Sequence, residues 1–255
     1  MIDWGLVKKA TLWEYEELMT KMTETLSYSF IQEHYNHNMK EATSYLEGLL
    51  GYDPKRDKSV IRLAKTFTAL KDLRVESYVD LYQRIETKEK CEDFLRKTKL
   101  SFMELLLVLN HIFHWVFPRR LYLRELIYAE NECTNIYMEK FRNRGIRFNL
   151  DILENGRTRE GREKLCKDAG IPESFIIDLV NLADMSRLPY SNRKTVKHLL
   201  AGGYDSVAKL AQTDPEIFAE DMRSYFERIG VRLTGFIDLK GIAQWARTIP
   251  VVVVY

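Results

Sequence analysis

Familiar catalytic signatures are missing from the 255 residues. There is no GxSxG, no P-loop, no glycine-rich dinucleotide turn and no HExxH, so the usual local supports for hydrolase, nucleotide and zincin chemistry are absent. Cysteine is scarce. Cys91, Cys133 and Cys166 are far apart, odd in number and without a CxxC, which argues against a disulfide framework or a zinc ribbon. Reduced, mostly buried thiols in a cytoplasmic protein are the expectation. The opening MIDWGLVKKATLWEYEE has no apolar signal region. The most apolar run, LSFMELLLVLNHIFHWVF (100–117), is interrupted by Glu104, Asn110 and two histidines, so it reads as a buried helix and not a membrane span. A strong charge bias is lacking too. The net charge is +2, with 24 basic and 24 acidic residues over 1–155 and 15 and 13 over 156–255. Totals of this kind do not announce a nucleic-acid binder. No internal repeat or low-complexity segment stands out.

What is present is helical patterning. Hydrophobic residues make up 45% and charged residues 30%, enough apolar material for a packed core and no case for disorder. Thr11 and Glu14 read as a capping box. Leu12, Tyr15, Met19, Met22, Leu26 and Phe30 recur at spacings of three and four, and this pattern predicts a helix running as far as Leu50, stopped by Gly51 and DPKRD. Residues 57–73 are amphipathic, with Val60, Ala64 and Phe67 on one face, and 74–99 suggest two short helices divided near Thr87. Ser101 and Glu104 form a second capping box before the helix that ends at Phe117, which is apolar nearly all round and should be central. Pro118 is expected to begin a further helix, stopped by Gly145.

Residues 145–163, GIRFNLDILENGRTREGRE, carry three glycines and several arginines with little periodicity, and a domain boundary is placed there. Beyond it, Pro172 and Asp214-Pro215 mark helix starts, and the final ARTIPVVVVY should pack in an extended form. The fold class is therefore all-α in two parts: a bundle of five or six helices over 1–155, and a domain of short helices over 156–255.

Residues 182–211, LADMSRLPYSNRKTVKHLLAGGYDSVAKLA, have the outline of helix, tight hairpin and helix. A hairpin before a helix N-terminus aims backbone N–H groups at one point and can hold a phosphate, a contact without base information. The stretch GIPESFIIDLVNLADMSRLPYSNRKTVKHLLAGGYDSVAKLAQTDPE resembles the helix-hairpin-helix family. It is closer still to an uncharacterised branch known only as a domain of unknown function, which ends in a WxxxA-like helix, a proline and a β-branched tail. LKGIAQWARTIPVVVVY is similar to that ending, so the resemblance covers roughly 165–255. In binding members the hairpin reads like LPGVGPKTA; here it is LPYSNRKTV. Tyr190 and Asn192 stand at the glycine positions and Arg193 at the following proline, while Lys194 and Thr195 remain.

Asparagine tolerates the left-handed region, so Asn192 is expected to keep the turn, whereas the ring of Tyr190 would obstruct a phosphate. Arg187, Arg193, Lys194, Lys197 and His198 cluster at the hairpin and can replace backbone contacts by side-chain ones. The resemblance thus implies sequence-independent contact with a DNA or RNA phosphate backbone, through Arg187, Asn192, Arg193, Lys194 and Lys197. The other reading of the same residues is a protein-interaction or scaffold module. Further basic residues, Arg142, Arg144, Arg147, Arg157, Arg159, Arg162, Lys164 and Lys167, are interleaved with Glu160, Glu163 and Asp168 and read as a solvated linker.

Four of the five histidines form two H-x-x-H pairs, His34/His37 and His111/His114. Each pair shares a helix face. With Glu41 or Glu130 they are candidate ligands for zinc or iron between facing helices, as in a metal-dependent bundle enzyme. The alternative is hydrogen-bonded core histidines, with no cofactor. Taken together the sequence predicts a non-catalytic binding protein with no membrane partner.

Overall fold

The computed structural model describes residues 2–50, 55, 57–127, 131–189, 191–231 and 238–254. Among these the backbone is helical nearly throughout and holds no strand. Two isolated antiparallel bridges, Asn38 with Ser77 and Tyr122 with Phe148, are its β-type pairings. No described helix is long and apolar enough to cross a membrane. The chain divides into two units, 1–118 and 119–255.

The first unit holds α1 (Gly5–Thr11), α2 (Tyr15–Leu26), α3 (Ser29–His34), α4 (Met39–Leu50), α5 (Asp57–Asp72), α6 (Tyr78–Ile85), α7 (Lys88–Thr98) and α8 (Phe102–His111), with a π-helical turn at Ile112–Val116. The single helix expected from Leu12 to Leu50 is broken into three. Thr11 ends α1 and turns its hydroxyl back to the Val7 carbonyl, 2.9 Å away, so no capping box forms with Glu14. Leu12 then adopts a left-handed φ of 75°. Asn38 starts α4: its Oδ1 accepts from the N–H groups of Lys40 and Glu41, while Glu41 Oε2 accepts from Asn38 N. The second capping box is present, with Ser101 and Glu104 bonded reciprocally at the start of α8. That helix buries Leu105, Leu106, Val108, Leu109 and His111, and it packs against α5 and α1. Phe30, Tyr35, Phe67 and Tyr78 are fully enclosed in the same unit, each removing enough apolar surface from water to contribute about 1.5–3 kcal/mol.

The second unit holds α9 (Leu123–Leu126), α10 (Glu132–Arg142), α11 (Asn149–Gly156), α12 (Arg159–Ala169), α13 (Glu173–Met185), α14 (Arg193–Ala201), α15 (Val207–Gln212), α16 (Pro215–Arg228) and α17 (Leu239–Thr248). Its division from the first unit falls at Pro118, well before the boundary expected near 155. The stretch read as a linker instead contains α11, a short turn and the first part of α12, and α11 and α12 both pack on α13. Two of its glycines, Gly156 and Gly161, serve close packing, while Gly145 takes a left-handed φ of 78°. A Cβ on Gly161 would stand 2.3 Å from the carbonyl oxygen of Asn155. Arg162, expected on the surface, is buried and donates to the carbonyls of Gly156 (3.1 Å) and Val254 (2.9 Å). These bonds hold the extended tail, as does the bond from Val254 N to the Arg157 carbonyl. Nor does Pro118 begin a helix; the chain stays extended to Tyr122, and α9 and α10 are separate.

Candidate nucleic-acid interface

The hairpin lies between α13 and α14, and the structure separates its five expected contact residues into two groups. Arg187 is not at the surface. Its side chain and that of Asp184 are 1% and 2% exposed, and the two form an ion pair. Arg187 Nη1 also donates to the Pro250 carbonyl at 2.8 Å, and Asp184 Oδ2 accepts from Val207 N at 2.8 Å. The pair ties the end of α13 to the start of α15 and to the tail. Asn192 is likewise occupied. It does not take the left-handed conformation expected of it: its φ is −131°, it is the N-cap of α14, and its Oδ1 accepts from Thr195 N at 3.0 Å. No described residue of the hairpin has a positive φ. Tyr190 lies outside the described residues.

Arg193, Lys194 and Lys197 are exposed on the first turns of α14. Arg193 Nη2 donates to the Ile127 carbonyl, just beyond α9. Lys194 makes no ion pair among the described residues. His198, one turn on, has its Nδ1 3.1 Å from the Tyr225 hydroxyl. Partial burial lowers its pKa, and the charges of Lys194 and Lys197 lower it further, with no carboxylate among the causes. The start of α14 thus gathers three exposed basic side chains beside His198.

A groove opens in the same unit, with a volume of about 740 Å³, and sequence reasoning missed half of it. Arg142 and Arg147 were singled out only as part of a solvated basic linker, and Arg124 and Tyr122 were not singled out at all. Leu123, Met138 and Ile146 are buried beneath it. The Tyr122–Phe148 bridge brings the two stretches together: Leu123 N donates to the Arg147 carbonyl and Asn149 N to the Leu121 carbonyl, both at 2.9 Å. Asn149, fully buried, fixes the strand-like segment further through bonds to Leu121 N, the Arg119 carbonyl and Ser186 Oγ. Two other basic residues of the stretch are used locally. Arg144 bonds the Lys140 and Asp168 carbonyls, and Arg159 pairs with Glu163 at 3.0 Å.

The four candidate metal-ligating histidines do not converge. His34 sits beside Glu33, with Nε2 3.4 Å from its carboxylate, and His114 stacks on Trp13 at 5.7 Å. His37 does approach His111 within the first unit, close enough for its charge to lower the pKa of His111 further, after burial. His37 lies against Tyr45 and Tyr78, and His111 against Phe67. His37 Nε2, the Tyr78 hydroxyl and both ring nitrogens of His111 have no hydrogen-bond partner among the described residues. Burial lowers the pKa of His37, and it pushes that of His111 down to about 3. Glu41 caps α4, and Glu130 lies outside the described residues. Among the described residues no group of three or more histidine, cysteine or carboxylate side chains is placed to hold a metal ion. The thiols are free. Burial drives the Cys91 thiol up to about 11, which leaves it an inert core group, while Cys133 is exposed, unlike the expectation.

Residues 131–248 match the family profile described as Domain of unknown function (DUF4332). The matched stretch runs from the N-cap of α10 to the last residue of α17, so it begins earlier than the resemblance read from the hairpin and the tail. Neither the curated proteins nor the solved structures give a match to the chain.

Proposed function

We propose that this is a non-catalytic binding protein whose second unit contacts the phosphate backbone of nucleic acid without reading sequence, through a helix-hairpin-helix-like element. The observation that carries this reading is the exposed cluster of Arg193, Lys194 and Lys197 on the first turns of α14, beside a histidine whose pKa is lowered by burial and then by the charges of Lys194 and Lys197. A helix N-terminus adds its own partial positive charge to theirs. The contact is a side-chain contact. Asn192 spends its oxygen on Thr195 N, and Arg187 is shut inside, so Arg193, Lys194 and Lys197 carry the interaction.

Three phosphate contacts on duplex DNA give a slope of log affinity against log salt of about −2.7. The test is fluorescence anisotropy of labelled DNA with the full chain across a salt series, beside a Lys194→Ala/Lys197→Ala variant. The expected result is weak binding that falls with salt, and a variant that binds less tightly with a slope shallower by about 2. Equal binding by the variant, or none by the parent chain at low salt, overturns the reading. The buried Asp184–Arg187 pair would then favour the second reading, a scaffold module whose hairpin serves packing and protein contact.

A further inference from the structure

We infer that the groove beside α9 is a seat for single-stranded nucleic acid, in which one unpaired base stacks on Tyr122 and the flanking phosphates fall on Arg124, Arg142 and Arg147. This rests on the nucleic-acid reading above and adds a strand preference to it. The first support is the state of Tyr122. It is 56% exposed although its backbone is pinned in the bridge to Phe148 and its ring lies 4.6 Å from the Phe148 ring, tilted by 32°. Phe148 is itself covered by the Arg120 guanidinium, 3.5 Å from its centroid. An exposed aromatic ring held this firmly has lost most of its freedom before any ligand arrives, which is what a stacking platform requires.

Charge complementarity is the second support. Arg124 and Arg147 make no ion pair among the described residues, and the nearest carboxylate to Arg142 is that of Glu139 at 3.9 Å, with both side chains mostly exposed. Glu125 also lines the groove, so three arginines face one acid there; Glu132 and Glu139 line the shallower recess beyond Arg124 and Arg142. Guanidinium groups around an apolar floor suit phosphates flanking a base. Continuity is the third support. Arg193 reaches the carbonyl of Ile127, one helical turn past Arg124, so the positive start of α14 and the groove adjoin.

A duplex cannot offer an unpaired base to Tyr122, whereas the hairpin contact is indifferent to strandedness. The experiment therefore compares a labelled 20-nucleotide oligo-dT with a blunt duplex of mixed sequence, using the full chain, Tyr122→Ala, Tyr122→Phe, Arg124→Ala/Arg147→Ala and the Lys194→Ala/Lys197→Ala variant. The expected result is that Tyr122→Ala weakens oligo-dT binding roughly tenfold while duplex binding is unchanged. Tyr122→Phe should restore it, which separates stacking from any loss of fold. The groove arginine variant should lower the salt slope for oligo-dT by about 1.4. If the parent chain binds the duplex and Tyr122→Ala binds oligo-dT as tightly as the parent, this inference fails and the hairpin reading stands. If the parent chain binds neither, both fail. Loss in the arginine variant with Tyr122→Ala unaffected would make the groove a seat for any polyanion, an acidic peptide included, and overturns the stacked-base assignment.

Discussion

Acid should unfold the first unit earlier than its carboxylates alone would allow, and His111 is the reason. Its imidazole is fully enclosed, lies against Phe67, and has no hydrogen-bond partner on either nitrogen. Burial, helped by the charge of His37, holds its folded-state pKa at about 3 against 6.5 for the free side chain. The unfolded chain therefore binds a proton that the folded chain refuses. Stability is full above pH 6.5 and is lost as pH falls toward 3, at up to ~1.4 kcal/mol per pH unit, or ~5 kcal/mol across the window. Between pH 6.5 and 4.5 the loss is ~2.5 kcal/mol, a large share of an ordinary stability of about 5–15 kcal/mol. His37, also lowered by burial, acts in the same direction. Carboxylates such as Glu104, held low first by the Ser101 hydroxyl, lose their contribution only below its free value of 4.5. The two classes are thus separated by pH. The assay is urea unfolding at pH 7.5, 6.5, 5.5 and 4.5, followed by tryptophan fluorescence, since Trp4, Trp13 and Trp115 all lie in the first unit. His111→Phe keeps an aromatic ring against Phe67 and removes two unpartnered nitrogens, so at pH 7.5 it should be as stable as the parent or more so. It should lose most of the decline between pH 6.5 and 4.5. An unchanged decline refutes the assignment to His111. A variant several kcal/mol weaker at pH 7.5 refutes the premise, because the ring nitrogens would then be holding something.

Three further outcomes follow from contacts in the second unit. Arg187→Ala leaves Asp184 charged and buried, and should cost about 3–5 kcal/mol in urea midpoint terms; a surface phosphate ligand in its place would cost almost nothing. Gly161→Ala has opposite signs under the two descriptions of residues 145–163. An exposed helix position would gain about 1 kcal/mol, but a Cβ 2.3 Å from the Asn155 carbonyl should lose about 1–3 kcal/mol, as thermal unfolding will show. Asn192→Ala should lower stability by about 1 kcal/mol through the lost cap of α14, and anisotropy with DNA should show little weakening, since its side chain faces Thr195 N.

Much of the helical order was legible because caps and spacing are local. Thr87 does divide α6 from α7, Asp214 and Pro215 do open α16, and Ser101 with Glu104 does open α8. The misreadings come from places where a local signal had two meanings. A threonine three residues before a glutamate is a capping box only if it precedes the helix, and Thr11 ends one. The break before α4 had its own signal, Asn38 with Glu41, hidden inside a stripe that suited a continuous helix. Glycine-rich sequence at 145–163 looked like a linker because a glycine chosen for close approach and one chosen for freedom are the same letter. The groove was illegible for another reason. Tyr122 and Arg124 meet Arg147 through a two-residue bridge that no periodicity announces.

The hairpin shows how residue type and residue role come apart. Five polar or basic residues within eleven positions look like one site, yet two of them are satisfied from within. Asp184 fixes Arg187, because an unpaired guanidinium at that depth could not persist. Thr195 N fixes Asn192, because a helix start needs an acceptor and an asparagine just before it is the nearest one. A glycine hairpin lets the backbone itself meet the phosphate; a capped, non-glycine hairpin closes part of that backbone off. In the proposed contact the phosphate meets Arg193, Lys194 and Lys197, and side chains of that length hold it less rigidly than backbone N–H groups would. Behind Tyr122, by contrast, the bridge, Asn149 and the Phe148 ring fix an exposed aromatic surface. That is why the proposed stacked-base contact asks less ordering of the protein than the proposed side-chain contact at the start of α14.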